Sequence, residues 1–337
     1  MANNVPNQVK VIAPARIHLG LLNPSANADR QFGGAGVMLE KPELVLSISR
    51  ADTDQCHGPL SDRAEKFIAC WRETTNIRDS VFCEVEAAPP EHVGLGLGTQ
   101  LGMSVAMGLD CLFDRRDVSI SERAQSVRRG VRSAVGAYGF HDGGFIVESG
   151  KRPNEVLGKL ESRIDLPSSW RVMLVRTKHN QGLAGDAEAK AFHQISHADS
   201  LQTNGASSDL PRMLFDHLLP AAEAGDFEKF SESVYRYGLA AGKMFAASQG
   251  GPFLNESIAD FVNFCRDLGV RGVGQSSWGP TVYCWFPDDA SAKEFREKHM
   301  NHRANLETEV VVTSVAQSGA SIAVEPPEVA NRSKSNV

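Results

Sequence analysis

Residues 90–102 read P-E-H-V-G-L-G-L-G-T-Q-L-G and restrict the fold more than any other stretch. Three alternate glycines, Gly94, Gly96 and Gly98, let the backbone approach another group closely and expose successive N–H groups. The apolar run that follows, residues 99–112, predicts a helix, so the loop opens onto a helix N-terminus where an anion is favoured. The pattern is not a Walker A loop, because no G-K-[S/T] follows. Nor is it the G-x-G-x-x-G fingerprint, because the third glycine falls one position early. A phosphate or pyrophosphate suits it, with Leu95, Thr99 and Gln100 completing the candidate set. The competing reading is a plain strand-to-helix turn.

A second glycine-punctuated turn lies at residues 271–284, R-G-V-G-Q-S-S-W-G-P-T-V-Y-C. An ordinary hairpin needs no amide, two hydroxyls and an indole, so Gly274, Gln275, Ser276, Ser277 and Trp278 are candidate ligand contacts. A bulged hairpin with Trp278 as a core plug is the alternative. Earlier, A-R-I-H-L-G at residues 15–20 sets Arg16 and His18 on one face of a strand and Ile17 and Leu19 on the other. Such a cation and imidazole suit a carboxylate or phosphate. A fourth run, residues 128–145, combines arginines and glycine turns with the pair His141 and Asp142. Arg132 is its ligand candidate, whereas Arg128 and Arg129 read as decoration of a solvated helix face. His193 and His197 have metal-ligand spacing but lack the H-E-x-x-H context. No G-x-S-x-G elbow is present.

The chain mixes strands and helices without a strict βαβ rhythm, which favours an α+β fold. Strands are expected near 9–12, 44–49, 81–87, 143–148, 170–176, 270–273, 281–286 and 309–315. Helices are expected at 61–75 (capped by Ser61), 121–135 (capped by Ser119 or Ser121), 186–197, 210–224, 226–247, 255–268 and 290–298, with a loose loop at 199–208. The division is an N-terminal lobe, 1–165, a C-terminal lobe, 166–323, and a frayed tail, 324–337. The net charge of −6 argues against a general nucleic-acid binder, though local arginines still serve a small anion. Six scattered cysteines without a C-x-x-C pair suit reduced thiols. With no secretory leader or membrane-length apolar run, a cytoplasmic location without membrane attachment is expected. Assembly stays open, with a homodimer as one candidate.

Taken together, A-P-A-R-I-H-L-G-L-L, R-Q-F-G-G-A-G-V-M-L, E-H-V-G-L-G-L-G-T-Q-L, R-S-A-V-G-A-Y-G-F-H-D-G-G-F-I-V, Q-G-L-A-G-D-A-E-A-K-A-F and G-V-G-Q-S-S-W-G-P-T-V-Y resemble the β-ribofuranosylaminobenzene 5′-phosphate synthase family of the GHMP-kinase superfamily. The likeness spans residues 9–316. Kinases of that superfamily carry a Ser-Ser pair where this chain has Gly98-Thr99, which points to a non-kinase branch. The resemblance implies a two-lobed GHMP-like α+β fold. It also implies a decarboxylating pentosyl transfer from phosphoribosyl pyrophosphate to 4-aminobenzoate, releasing carbon dioxide and pyrophosphate. That step commits material to tetrahydromethanopterin-type one-carbon carriers. Mg²⁺ is the expected cofactor, with no assigned ligands. Arg16 or Arg132 would hold a carboxylate or the 5′-phosphate, and Trp278 would stack on the arene. His18, His141 and Asp142 are the groups available to handle a proton. An ATP-dependent small-molecule kinase of the same fold is the alternative, with Asp142 as the candidate for its catalytic aspartate.

Overall fold

The computed structural model describes residues 6–25, 28–115, 117–177, 209–277, 279–300 and 308–325. The expected helix at 186–197, the loop at 199–208, His193, His197, Trp278 and the tail beyond 325 lie outside these residues.

The first sheet is built on two long antiparallel strands, β1 (Gln8–Asn23) and β2 (Phe32–Arg50). Residues expected as separate pieces run as single strands. β4 (Val81–Ala87) pairs with β2, and β3 (Gln55–His57) runs parallel to β4. β5 (Phe145–Glu148) pairs with the first part of β2, and β6 (Leu160–Ile164) pairs with β5. Across this sheet pack α1 (Ser61–Thr75), α2 (Leu97–Leu112), α3 (Ile120–Ser126) and α4 (Val135–Asp142).

A bulge in β1 fixes the site. Val9, Val11 and Ala13 pack into the core formed with α1 and α2. The register shifts between Ala13 and Ala15, after which Ala15, Ile17 and Leu19 face the other core. An extra residue reverses which positions face which layer. Arg16 and His18 therefore come round to the α2 side, on one face as their spacing predicts.

The second sheet has the order β10 (Thr308–Thr313), β7 (Arg171–Thr177), β9 (Val282–Phe286), β8 (Val273–Gln275). Its helices are α5 (residues 210–223, with a π turn at Met213–Leu218), α6 (Phe227–Lys243), α7 (Ala246–Gln249), α8 (Glu256–Asp267) and α9 (Asp289–Phe295). An aromatic core joins the two sheets. Phe230 of α6 packs edge-on to Phe145 at 5.9 Å and lies 5.0 Å from Trp285 and 4.9 Å from Trp170. Such aromatic pairs add to the burial of their apolar area.

Three expectations are corrected. Ser61 is not a cap: Leu60 holds that position in the left-handed conformation, with no side-chain hydrogen bond. The helix expected at 121–135 stops at Ser126, because Arg128 (φ 54°) and Gly130 (φ 77°) adopt left-handed backbones that break it. Its start does follow the sequence, since Ser119 and Glu122 form a reciprocal capping box. Val324 is not in a frayed tail. It lies in β11 (Ser321–Glu325), which pairs with residues 8–12 of β1 and satisfies that strand's otherwise open edge. The C-terminal strand thus returns to the first sheet. No described helix is long and apolar enough to cross a membrane.

Candidate active site

β1 is the strand on which both glycine turns meet. The Arg16 N–H donates to the Leu95 carbonyl at 3.0 Å, and the Ser277 N–H donates to the His18 carbonyl at 3.3 Å. Between them, the buried Ser276 hydroxyl accepts from the His18 N–H at 3.0 Å and donates to the Gly94 carbonyl at 2.7 Å. The two turns touch directly: a Cβ on Gly279 would lie 2.3 Å from the Gly94 nitrogen. Only glycine fits there. The first three sequence motifs therefore form one site.

In the first loop the apolar residues are anchors and the glycines face outward. Val93, Leu95 and Leu97 are buried, whereas Gly94, Gly96 and Gly98 are partly open. Leu95 thus belongs to the core. A Cβ on Gly96 would meet Arg16 Nε at 2.8 Å, and one on Gly98 would meet Arg63 Nη2 at 2.6 Å and Arg129 Nη2 at 3.6 Å. Three guanidiniums therefore surround the first turn of α2, where the helix's partial positive charge also lies. Arg63 pairs with Glu91, and Arg129 lies 4.8 Å over the Phe67 ring. Arg63 lies outside every motif, and Arg129 lies in the 128–145 run but reads there only as surface decoration; the fold alone brings α1 and the turn after α3 to this loop.

Two predicted contacts are occupied inside the protein. Gln100 is buried and donates to the Gly136 carbonyl at 3.1 Å. Gln275 accepts from the Leu254 N–H at 2.7 Å and donates to the Ser277 carbonyl at 2.9 Å. Thr99 packs against Gly136, where a Cβ would meet its methyl at 3.0 Å, and Gly274 lies against the Tyr283 ring.

His18 is buried, with Nε2 3.1 Å from the Ser133 hydroxyl. Burial, and secondarily the Arg16 charge, hold its pKa well below the ordinary imidazole value, so it is neutral at pH 7. Beyond Ser133 lies Glu148, buried in β5, whose Oε1 accepts from the Ala134 N–H at 2.9 Å. Burial raises the Glu148 pKa, while the Ala134 N–H, the Ser133 hydroxyl and the Gly150 N–H pull the other way. Arg132 is half-buried immediately before Ser133. No motif contained Ser133 or Glu148 in a recognisable role.

His141 and Asp142 do not join this site. Their side chains pair at 2.6 Å, partly exposed, at the C-terminal end of α4. A helix rises about 1.5 Å per residue, which puts that end roughly 10 Å along α4 from its Ser133 side. The backbone there meets the 316–320 segment instead: a Cβ on Gly319 would lie 2.2 Å from the His141 carbonyl. Of the proposed proton-handling groups, His18 alone remains at the glycine loops.

Among the described residues no three His, Cys, Asp or Glu side chains come together to hold a metal. The first turn of α2 is set among arginines, and its neighbour Glu91 is already paired with Arg63. That donor set does not fit a protein-held Mg²⁺.

Residues 218–304 match the family model GHMP kinases C terminal. Two archaeal proteins named β-ribofuranosylphenol 5′-phosphate synthase are similar along most of the chain. The Methanothermobacter thermautotrophicus protein is 28% identical over 80% of this chain and 86% of its own. The Archaeoglobus fulgidus protein is 24% identical over 94% of this chain and 100% of its own. The chain is similar to proteins of that synthase name over most of its length, and its residues 218–304 carry the C-terminal GHMP-kinase pattern. Solved structures agree on the fold. Mevalonate diphosphate decarboxylase from Staphylococcus aureus superposes with a TM-score of 0.68 at 16% identity, covering 94% of this chain and 98% of its own. Homoserine kinase from Cytophaga hutchinsonii gives 0.63 at 15%, covering 96% and 99%. The α+β, GHMP-like architecture expected from the motifs is the one observed, and the synthase family is a family of enzymes.

Proposed function

We propose that this protein transfers the ribose 5-phosphate unit of phosphoribosyl pyrophosphate onto the ring carbon of 4-aminobenzoate that bears the carboxylate. The observation that carries the reading is the arginine-ringed first turn of α2, with Arg16, Arg63 and Arg129 at Gly96 and Gly98. Guanidiniums and helix N–H groups preorganised around one point suit a leaving pyrophosphate.

The step balances without an external base. The bond from sugar C1 to the pyrophosphate oxygen breaks, and its electron pair leaves with pyrophosphate. Ring electrons, pushed by the para substituent, form the new C1–carbon bond. The bond to the carboxylate then breaks, returns its pair to the ring and releases carbon dioxide. No net proton moves, which agrees with a buried neutral His18 acting as a fixed hydrogen-bonding group. Mg²⁺ is proposed to arrive on the pyrophosphate, since it binds readily through substrate phosphates; no step here depends on a protein-held metal.

The relatives' names, which specify a ribofuranosylphenol product, favour a second acceptor, 4-hydroxybenzoate. Its para oxygen supplies the same electronic push. Either product would feed a methanopterin-type one-carbon carrier. The test is phosphorus NMR of phosphoribosyl pyrophosphate incubated with each benzoate and Mg²⁺, with ATP as the control donor. Acceptor-dependent pyrophosphate release supports the proposal; phosphorylation from ATP would replace it with a kinase.

A further inference from the structure

A small cavity adjoins the site on the side away from the glycine loop. It shares His18 and Ser277 with the site, but no residue of the Gly94–Gly98 loop lines it. Its apolar wall comes from Leu19, Gly238, Ala241, Phe245 and Phe253, and its polar wall from Gln249, Gln275 and Ser277. No lysine, arginine, aspartate or glutamate is among the described lining residues, and the one titratable group, His18, is neutral.

Small residues set its width. A Cβ on Gly20 would lie 2.5 Å from that of Ala241, and one on Gly242 would lie 2.2 Å from the Pro252 carbonyl. β1, α6 and the 252–254 segment are therefore held at backbone separation. The Leu254 N–H, bonded to Gln275 at 2.7 Å, ties the Phe253 wall to the end of β8. The result is a narrow cavity with aromatic walls.

The chemistry of its wall excludes a polyphosphate, which needs cations, and suits a flat ring. We infer that this cavity holds the aromatic ring of the acceptor, with its carboxylate-bearing carbon toward His18 and Ser277. The inference rests on the synthase reading above. The two ends of the site then divide the chemistry. Arginines beside the glycine loop take the pyrophosphate, and the cation-free cavity takes the arene. A carboxylate beside an apolar wall without a cation loses hydration that neutral carbon dioxide does not need, which favours its departure.

The test uses the whole protein and 4-azidobenzoate, an aryl azide with the acceptor's shape. Photolysis should label residues 19–21 or 238–253, and excess 4-aminobenzoate should suppress the label. Protectable label elsewhere, or none in those segments, overturns the assignment. Phe245→Ala, at a half-buried position, should raise the KM for the benzoate about tenfold while leaving that for phosphoribosyl pyrophosphate within twofold. An unchanged benzoate KM also overturns it. Absence of turnover by the wild-type protein would count against the synthase reading alone, because the photolabel reports on the cavity independently.

Discussion

Ser276 donates its hydroxyl to the Gly94 carbonyl at 2.7 Å, across 182 positions of sequence. The same oxygen accepts from the His18 N–H. Ser276→Ala strands a buried donor and a buried acceptor at once, which costs about 1–3 kcal/mol. Urea unfolding should show that loss. Turnover should fall further than stability explains, because the two loops lose their tie.

Gly94 and Gly250 separate strain from clash. Both have positive φ, 87° and 82°, but a Cβ on Gly94 would strike the Ser276 carbonyl at 2.4 Å, whereas Gly250 has open space. Gly250→Ala should cost on the order of 1 kcal/mol through its left-handed backbone. Gly94→Ala should cost clearly more and abolish turnover. Equal thermal shifts for the two variants would contradict the close packing of the loops.

The arginines predict a substrate split. Arg63→Ala or Arg129→Ala should raise the KM for phosphoribosyl pyrophosphate at least tenfold, consistent with about 1.4 kcal/mol or more of lost binding, and hardly alter that for the benzoate. His141→Ala and Asp142→Asn, at the far end of α4, should leave kcat within about twofold. A collapse of kcat in either of these last two variants would return that pair to the chemistry.

How much of this was legible is clear from individual residues. Gly94, Gly96 and Gly98 alternate with Val93, Leu95 and Leu97, so a loop with an anchored side and an open side can be read directly. Arg16 and His18 share a face as strand periodicity requires. The convergence of Arg63, Arg129, Ser133 and Glu148 cannot be read, because it depends on how α1, the turn after α3 and β5 stack on one sheet. His141 and Asp142 misled for the opposite reason: they follow Arg132 closely in sequence, but a whole helix separates them from Ser133. Ser61 looked like a cap because its chemistry fits, yet the chain enters α1 through a left-handed Leu60.

His18 and Glu148 predict opposite pH effects. A lowered histidine pKa means that the unfolded chain binds the extra proton first. Stability from this site therefore falls as pH drops below about 6.5, by at most about 1.4 kcal/mol per unit. A raised carboxyl pKa means that the folded chain holds the proton above the ordinary glutamate range. Glu148 thus lowers stability as pH rises from about 4.5 through its folded pKa. His18→Asn should flatten the loss of stability between pH 6.5 and 5, whereas Glu148→Gln should steepen it. Denaturant midpoints across that range measure both slopes.

The most direct test of the synthase account is release of labelled carbon dioxide from carboxyl-labelled 4-aminobenzoate and 4-hydroxybenzoate, with Mg²⁺ and phosphoribosyl pyrophosphate omitted in turn. The account predicts release from at least one acceptor, only when the pyrophosphate donor is present and in step with pyrophosphate formation. Folded protein that releases none from either acceptor would contradict it.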